Sequence, residues 1–259
     1  MLGAILGDIV GSTYEFNNTK NYDFELFPFG SDFTDDTVLT IAVADAGMHQ
    51  KDYGKTIHEW AMKYPNPKGA YGDSFMRWMY ADTQQPYGSF GNGSAMRVSS
   101  IGWLFNDEKT VLNEARKSAE CTHNHPEGIK GAQAAAIAVF FARKGKSKEF
   151  IKTYIEENFG YIFNRNVDEI RADYSFDVTC QGTMPEALTC FFESISFEDA
   201  IRKGVSIGGD SDTIGAIVGG IAEAFYGMPK VLEEKAVSYL PKDMKAILVE
   251  FNTRNIKEF

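Results

Sequence analysis

The chain has 259 residues, 44% of them hydrophobic and 24% charged, proportions that suit an ordinary globular protein with a sizeable core and no need of staples. Its formal net charge is −10, so the counterion release that drives nucleic-acid binding finds no basic surface here. The cysteines, Cys121, Cys180 and Cys190, are odd in number and scattered, which argues against a disulfide framework and for a reducing compartment. No apolar run approaches the roughly 20 residues of a bilayer span, and the N-terminus lacks the basic region of a signal peptide. These features predict a cytoplasmic protein that spans no membrane. With no exposed heptad seam in the chain, a monomer is the expected state.

Taken in chain order, the segments carry helical periodicity. Gly3, Gly7 and Gly11 recur every fourth residue, which lays a flat glycine seam along one helix face. Each such glycine costs about 1 kcal/mol relative to alanine, tolerable where another backbone must approach closely. Residues 38–48 form an apolar stretch behind Thr34-Asp35-Asp36-Thr37, an acidic start of the kind helices favour. Residues 131–143 are alanine-rich and almost wholly apolar, as in a helix buried on every side. Residues 185–194 and 197–204 read as amphipathic pieces. Residues 214–226 form a late apolar helix with a second seam at Gly215 and Gly219, closed by Gly227 and Pro229. Two crowded central helices are therefore expected. Alternating runs with hairpin turns are missing, so the fold class is all-α, with residues 1–259 as one domain.

Two acidic motifs stand immediately before helices: Thr34-Asp35-Asp36-Thr37 and Gly208-Gly209-Asp210-Ser211-Asp212-Thr213. Either alone reads as a helix cap. Together they crowd carboxylates that repel unless protonated or neutralised by a cation. Their donors are hard oxygens, which select magnesium, manganese or calcium over zinc. A two-metal site would result if the motifs met in space. Between them, Gly91-Asn92-Gly93-Ser94 could bring backbone amides and a helix N-terminus to a phosphate, although a serine-capped turn is an equal reading. Cys121-Thr122-His123-Asn124-His125-Pro126 matches no standard zinc spacing and reads as a turn offering one histidine to a ligand. Asp8 reads as a polar anchor of the first helix. The aromatic-rich segments 64–90 and 154–163 read as core and cleft wall, and either could offer a ring to a base.

In this order, Gly3-Ala4-Ile5-Leu6-Gly7-Asp8 running to Glu15, Thr34-Asp35-Asp36-Thr37, Gly91-Asn92-Gly93-Ser94-Ala95-Met96-Arg97, Thr122-His123 and Gly208-Gly209-Asp210-Ser211-Asp212-Thr213 resemble the ADP-ribosylglycohydrolase family. The resemblance runs from residue 3 to about residue 229. It implies an all-α fold with two magnesium ions, or manganese in their place, at the bottom of an ADP-ribose cleft. By position it implies Thr34, Asp35, Asp36, Asp210, Asp212 and Thr213 as metal ligands. It implies Asn92, Gly93, Ser94 and His123 as substrate-binding residues. Glu15, and after it Asp35, are the implied catalytic carboxylates. The implied activity is removal of ADP-ribose from a modified protein or small molecule, with ADP-ribosylarginine as the leading target. Serine, nucleotide or free ADP-ribose linkages are alternatives. A non-catalytic ADP-ribose reader, a relative that keeps only the fold, and a two-metal phosphatase are the competing classes.

Overall fold

The computed structural model describes residues 1–256. Helices follow one another from α1 (Leu2–Gly11) through α2 (Asp35–His49), α3 (Tyr53–Lys63), α4 (Asp73–Met79), α5 (Gly93–Met96) and α6 (Ser99–Leu104). The middle of the chain forms α7 (Glu108–Glu120), α8 (Pro126–Arg143), α9 (Lys148–Phe159) and α10 (Val167–Asp173). The last part forms α11 (Cys180–Glu193), α12 (Phe197–Ser206), α13 (Ser211–Tyr226), α14 (Lys230–Tyr239) and α15 (Lys242–Ile256). Among the described residues there is no strand, only the isolated bridges Thr34–Lys68 and Gly91–Thr179. No helix among the described residues is long and apolar enough to cross a membrane.

The architecture is organised on the pair α1 and α13, and its cause is the two glycine seams. Every residue of α1 is buried. A Cβ added at Gly7 would stand 1.9 Å from the carbonyl oxygen of Gly215, and one at Gly3 would stand 2.3 Å from that of Gly219. The two backbones therefore touch, as the seams predict. The amino group of Met1 pairs with Glu223 of α13, and the Gly3 amide donates to the same carboxylate at 2.8 Å, which sets the register of the seam. At the other end, a Cβ on Gly11 would meet the Ser211 carbonyl oxygen at 2.3 Å. The C-terminus of α1 is thus brought onto the N-terminus of α13, where the second acidic motif lies. Around this pair α8 packs on α5, α6, α7 and α13.

Several helices start earlier than periodicity alone indicates, and each has a local cause. The apolar stretch at 131–143 is the second half of α8, which begins at Pro126 because His125 caps it, its Nδ1 accepting from the Glu127 amide at 3.1 Å. The piece expected over 185–194 belongs to α11, which begins at Cys180 behind a Thr179 cap. Pro185 therefore lies inside that helix, where it forgoes one backbone hydrogen bond. The burial of Cys180, Thr183 and Met184 holds that first turn and a half in place.

Candidate active site

The site is built where the ends of α1, α2 and α13 meet. Asp8 of α1 is fully buried and faces the N-terminus of α2. Its carboxylate accepts from the amides of Thr34 and Thr37, each at 3.0 Å, from the Thr34 hydroxyl at 2.8 Å, and from the Thr37 hydroxyl. Four donors on one carboxylate fix the start of α2 against α1. Thr34 caps α2 by accepting from the Asp36 amide at 3.2 Å, which directs Asp35 and Asp36 out of the first turn. From the other side, Gly208 and Gly209 adopt φ of 75° and 76°, values that suit glycine, and turn the chain so that Asp210 opens α13.

The two acidic motifs do meet. Thr213 donates to Asp36 Oδ2 at 3.3 Å, across 177 residues of chain. Ligand atoms of Glu15, Asp210 and Asp212 all lie within 4.8 Å of one another. Three oxygens at this junction, Glu15 Oε2, Asp36 Oδ1 and Asp212 Oδ1, are buried and have no hydrogen-bond partner among the described residues. An unpartnered buried carboxylate oxygen costs several kcal/mol of desolvation unless something positive faces it. The donor set is carboxylate and hydroxyl oxygen, so the residues present fit a hard divalent cation. This acidic cluster can bind metal.

Electrostatics carry the same message. Burial, reinforced by Asp212 and Asp8 and offset by Lys68, pushes the Glu15 carboxyl up to about 8. Burial and then Asp212 push Asp8 up to about 7, even though the Thr37 and Thr34 hydrogen bonds pull it down. Asp35, Asp36 and Asp210 are held well above the usual carboxylate range, by burial first and by Asp212 second. Burial also raises Asp212. Such a group of acids shares protons when alone and ionises when a cation arrives.

A cleft of about 450 Å³ opens over this cluster. That is the size of a small-ligand site. Of the residues singled out in the sequence, Glu15, Asp35, Asp36, Asn92, Gly93, His123, Asp210, Asp212 and Thr213 line it. Thr34 and Ser94 are not among its lining residues. The Thr34 hydroxyl donates to Asp8 at 2.8 Å and lies 3.5 Å from Asp36 Oδ2, and the Ser94 hydroxyl donates to the Gly128 carbonyl at 2.7 Å. Asn92 braces the wall, its amide donating to Asp210 Oδ2 at 2.7 Å and to Thr183 at 3.1 Å. His123 is buried, with Nδ1 2.7 Å from the Thr122 hydroxyl.

Matching residues 1–253, a family model described as ADP-ribosylglycohydrolase decides the kinship. The chain belongs to the ADP-ribosylglycohydrolase family. It is 25% identical to ADP-ribosylhydrolase ARH3 of Mus musculus, over 90% of this chain and 84% of that one. It is 27% identical to the ADP-ribosyl-[dinitrogen reductase] glycohydrolase of Rhodospirillum rubrum, over 89% of this chain and 85% of that one. A solved structure titled "ADP-ribosylglycohydrolase-related protein complex" shares the fold with a TM-score of 0.71 at 23% identity, covering 98% of this chain and 97% of that chain.

This member of the family carries features at its cleft that periodicity does not reveal. Phe16 and Phe176 face each other at the rim, ring centroids 6.1 Å apart and nearly parallel, and both are exposed. Phe16 directly follows Glu15, which was its only sequence signal. Phe176 lies in the irregular stretch between α10 and α11. Of the two aromatic-rich segments, 64–90 supplies Tyr71, Phe75 and Tyr87 to the cleft wall. Segment 154–163 does not line it; Tyr154 packs instead on Phe141 and Phe150.

Proposed function

We propose that this protein hydrolyses the bond between ADP-ribose and a modified target, the whole chain acting as one domain and ADP-ribosylated arginine in protein being the target. The observation that carries the reading is the set of three unpartnered buried carboxylate oxygens, on Glu15, Asp36 and Asp212, beneath a ligand-sized cleft. The names of the relatives agree with the reaction class and leave the acceptor open. A guanidinium acceptor has one cleft carboxylate outside the proposed metal and proton-transfer roles to pair with, that of Asp73.

In this reading Thr34, Asp35 and Asp36 from α2 and Asp210, Asp212 and Thr213 from α13 hold two magnesium ions, with manganese as the alternative. When bound, the ions supply Lewis-acid polarisation to the oxygens held against them. The chain's own part is binding and proton transfer. Asn92 keeps the Gly91–Asn92–Gly93 loop against Asp210, so a diphosphate and ribose rest on a fixed surface. Cleavage at the anomeric carbon passes through an oxocarbenium-like state, so one carboxyl must hand a proton to the leaving group and accept one from water. Glu15 takes this role at Oε2, a cleft oxygen with no hydrogen-bond partner among the described residues. Asp35 is the second choice.

The test is release of free ADP-ribose from an ADP-ribosylarginine peptide and an ADP-ribosylserine peptide, each with magnesium, with EDTA, and with Asp35→Ala. The expected result is release from the arginine peptide that needs the metal and fails in the variant. Release from the serine peptide alone would overturn the arginine target. Binding of free ADP-ribose without release from either would make the protein a reader.

A further inference from the structure

Arg97 is the largest fully buried side chain among the described residues. Its guanidinium forms no ion pair among them. Nη2 donates to the Ser118 carbonyl at 2.7 Å and to Thr122 Oγ1 at 2.9 Å, and it lies 3.8 Å from Cys121 Sγ. Nε and Nη1 have no hydrogen-bond partner among the described residues. Ser118 belongs to the last turn of α7, where aligned peptide dipoles leave partial negative charge, and this is what faces the cation. A guanidinium carries donors and no acceptor, so it can only donate.

That constraint passes along a chain of hydrogen bonds. Thr122 Oγ1 accepts from Arg97 at 2.9 Å, and with that lone pair occupied its proton is free to point to His123 Nδ1, 2.7 Å away. The Cys121 thiol donates to the Ser118 carbonyl at 3.4 Å, and its sulfur is a weaker acceptor for the Thr122 proton than an imidazole nitrogen. A neutral imidazole that accepts at Nδ1 carries its proton on Nε2. The doubly protonated ring is excluded by the same neighbours: burial and the Arg97 charge hold His123 well below its usual range. Tyr87, 6.1 Å away, closes the other side of the ring.

Nε2 faces the cleft. A Cβ at Gly93 would come within 3.2 Å of it and one at Gly91 within 3.5 Å, so glycine at these positions keeps the way to it open. No protein acceptor among the described residues takes its hydrogen. We propose that Arg97 and Thr122 are positioning residues that lock His123 in the neutral Nε2–H tautomer, so that it donates a hydrogen bond to an acceptor oxygen of the ligand lying over the Gly91–Asn92–Gly93 loop. The identity of that ligand rests on the ADP-ribose reading. The tautomer is a property of the free protein.

The experiment is a long-range ¹H–¹⁵N correlation spectrum of the histidine rings in the labelled full chain, with His123 assigned by its loss in His123→Gln. It is paired with calorimetric titration of ADP-ribose. The wild type is expected to show a protonated Nε2 and an unprotonated Nδ1, unchanged between about pH 5 and about pH 8. Thr122→Val removes the hydroxyl at nearly constant volume. It should shift the ring towards the Nδ1–H form and weaken ADP-ribose binding about tenfold, whereas Thr122→Ser should restore both tautomer and affinity. A wild-type Nδ1–H ring overturns the proposal, as does a Thr122→Val protein with unchanged tautomer and affinity. If Thr122→Val does not fold, the wild-type spectrum decides alone. A wild-type Nε2–H ring in a protein that binds no ADP-ribose supports the lock and overturns the functional reading.

Discussion

The seam between α1 and α13 and the cleft at its end lie side by side and are built on opposite rules. Along the seam, backbone meets backbone through Gly3, Gly7, Gly215 and Gly219, with no room for a single methyl group. At the cleft, carboxylates crowd together with oxygens left unpartnered and values pushed up to about 7 and about 8 at Asp8 and Asp8's neighbour Glu15. One region gains stability from close packing, and the other loses stability to hold charge in readiness. The seam makes that loss tolerable, because the same helix pair that packs so closely delivers Asp8 and Asp212 to the junction.

Four substitutions or conditions would sharpen or break this contrast. The largest effect is expected at the cleft: Glu15→Gln should lower kcat/KM for ADP-ribose release by about a thousandfold, or about 4 kcal/mol of barrier. It should leave the thermal stability of the metal-free protein nearly unchanged near neutral pH, since the carboxyl it replaces is raised to about 8 and already holds a proton there. A variant that keeps more than a tenth of wild-type activity would move proton transfer to another carboxylate. Next comes the seam, where Gly7→Ala should destabilise by about 3 kcal/mol, seen as a lower urea midpoint, because a backbone carbonyl cannot rotate away as a side chain would. An unchanged midpoint would mean that the helices can slide apart.

The pH dependence of the metal-free protein comes third. Asp8 and Glu15 have folded-state values above their ordinary ones, about 7 and about 8. The stability they lend is therefore fully present below about pH 4 and is lost as pH rises through those values. The melting temperature in EDTA should fall by several degrees between about pH 5 and about pH 8. Magnesium should raise it more at the upper end than at the lower, and equal metal-induced shifts at both would count against carboxylates that share protons. The smallest effect belongs to the rim. Phe16→Ser should raise KM about fivefold with kcat nearly constant, as expected for loss of one stacked ring. A fall in kcat instead would tie the rim to Glu15.

Much of this was legible in the order of residues because its signals are local. The period of the glycine seams predicted two touching helices, and the acidic caps at 34–37 and 208–213 predicted helix starts at α2 and α13. The alanine-rich α8 read as buried, and its middle and end are. Helix starts were less legible: nothing in periodicity shows that His125 caps α8 or that Thr179 starts α11 ahead of Pro185. Motif order also pointed to the residues at the cleft, yet not to which way each one turns.

The sequence by itself thus determined the helical class, the crowded central pair, the hard-oxygen character of the donors and the family resemblance, since each depends on residue type and short spacing. Only the tertiary structure decided that Asp36 meets Thr213, that Glu15 joins Asp210 and Asp212, that Thr34 bonds to Asp8 and Ser94 to Gly128, and that Phe16 finds Phe176. These are contacts between segments far apart in the chain. Their geometry follows from how closely α1 and α13 can approach, and a local pattern carries no information on the direction of a side chain across such an interface.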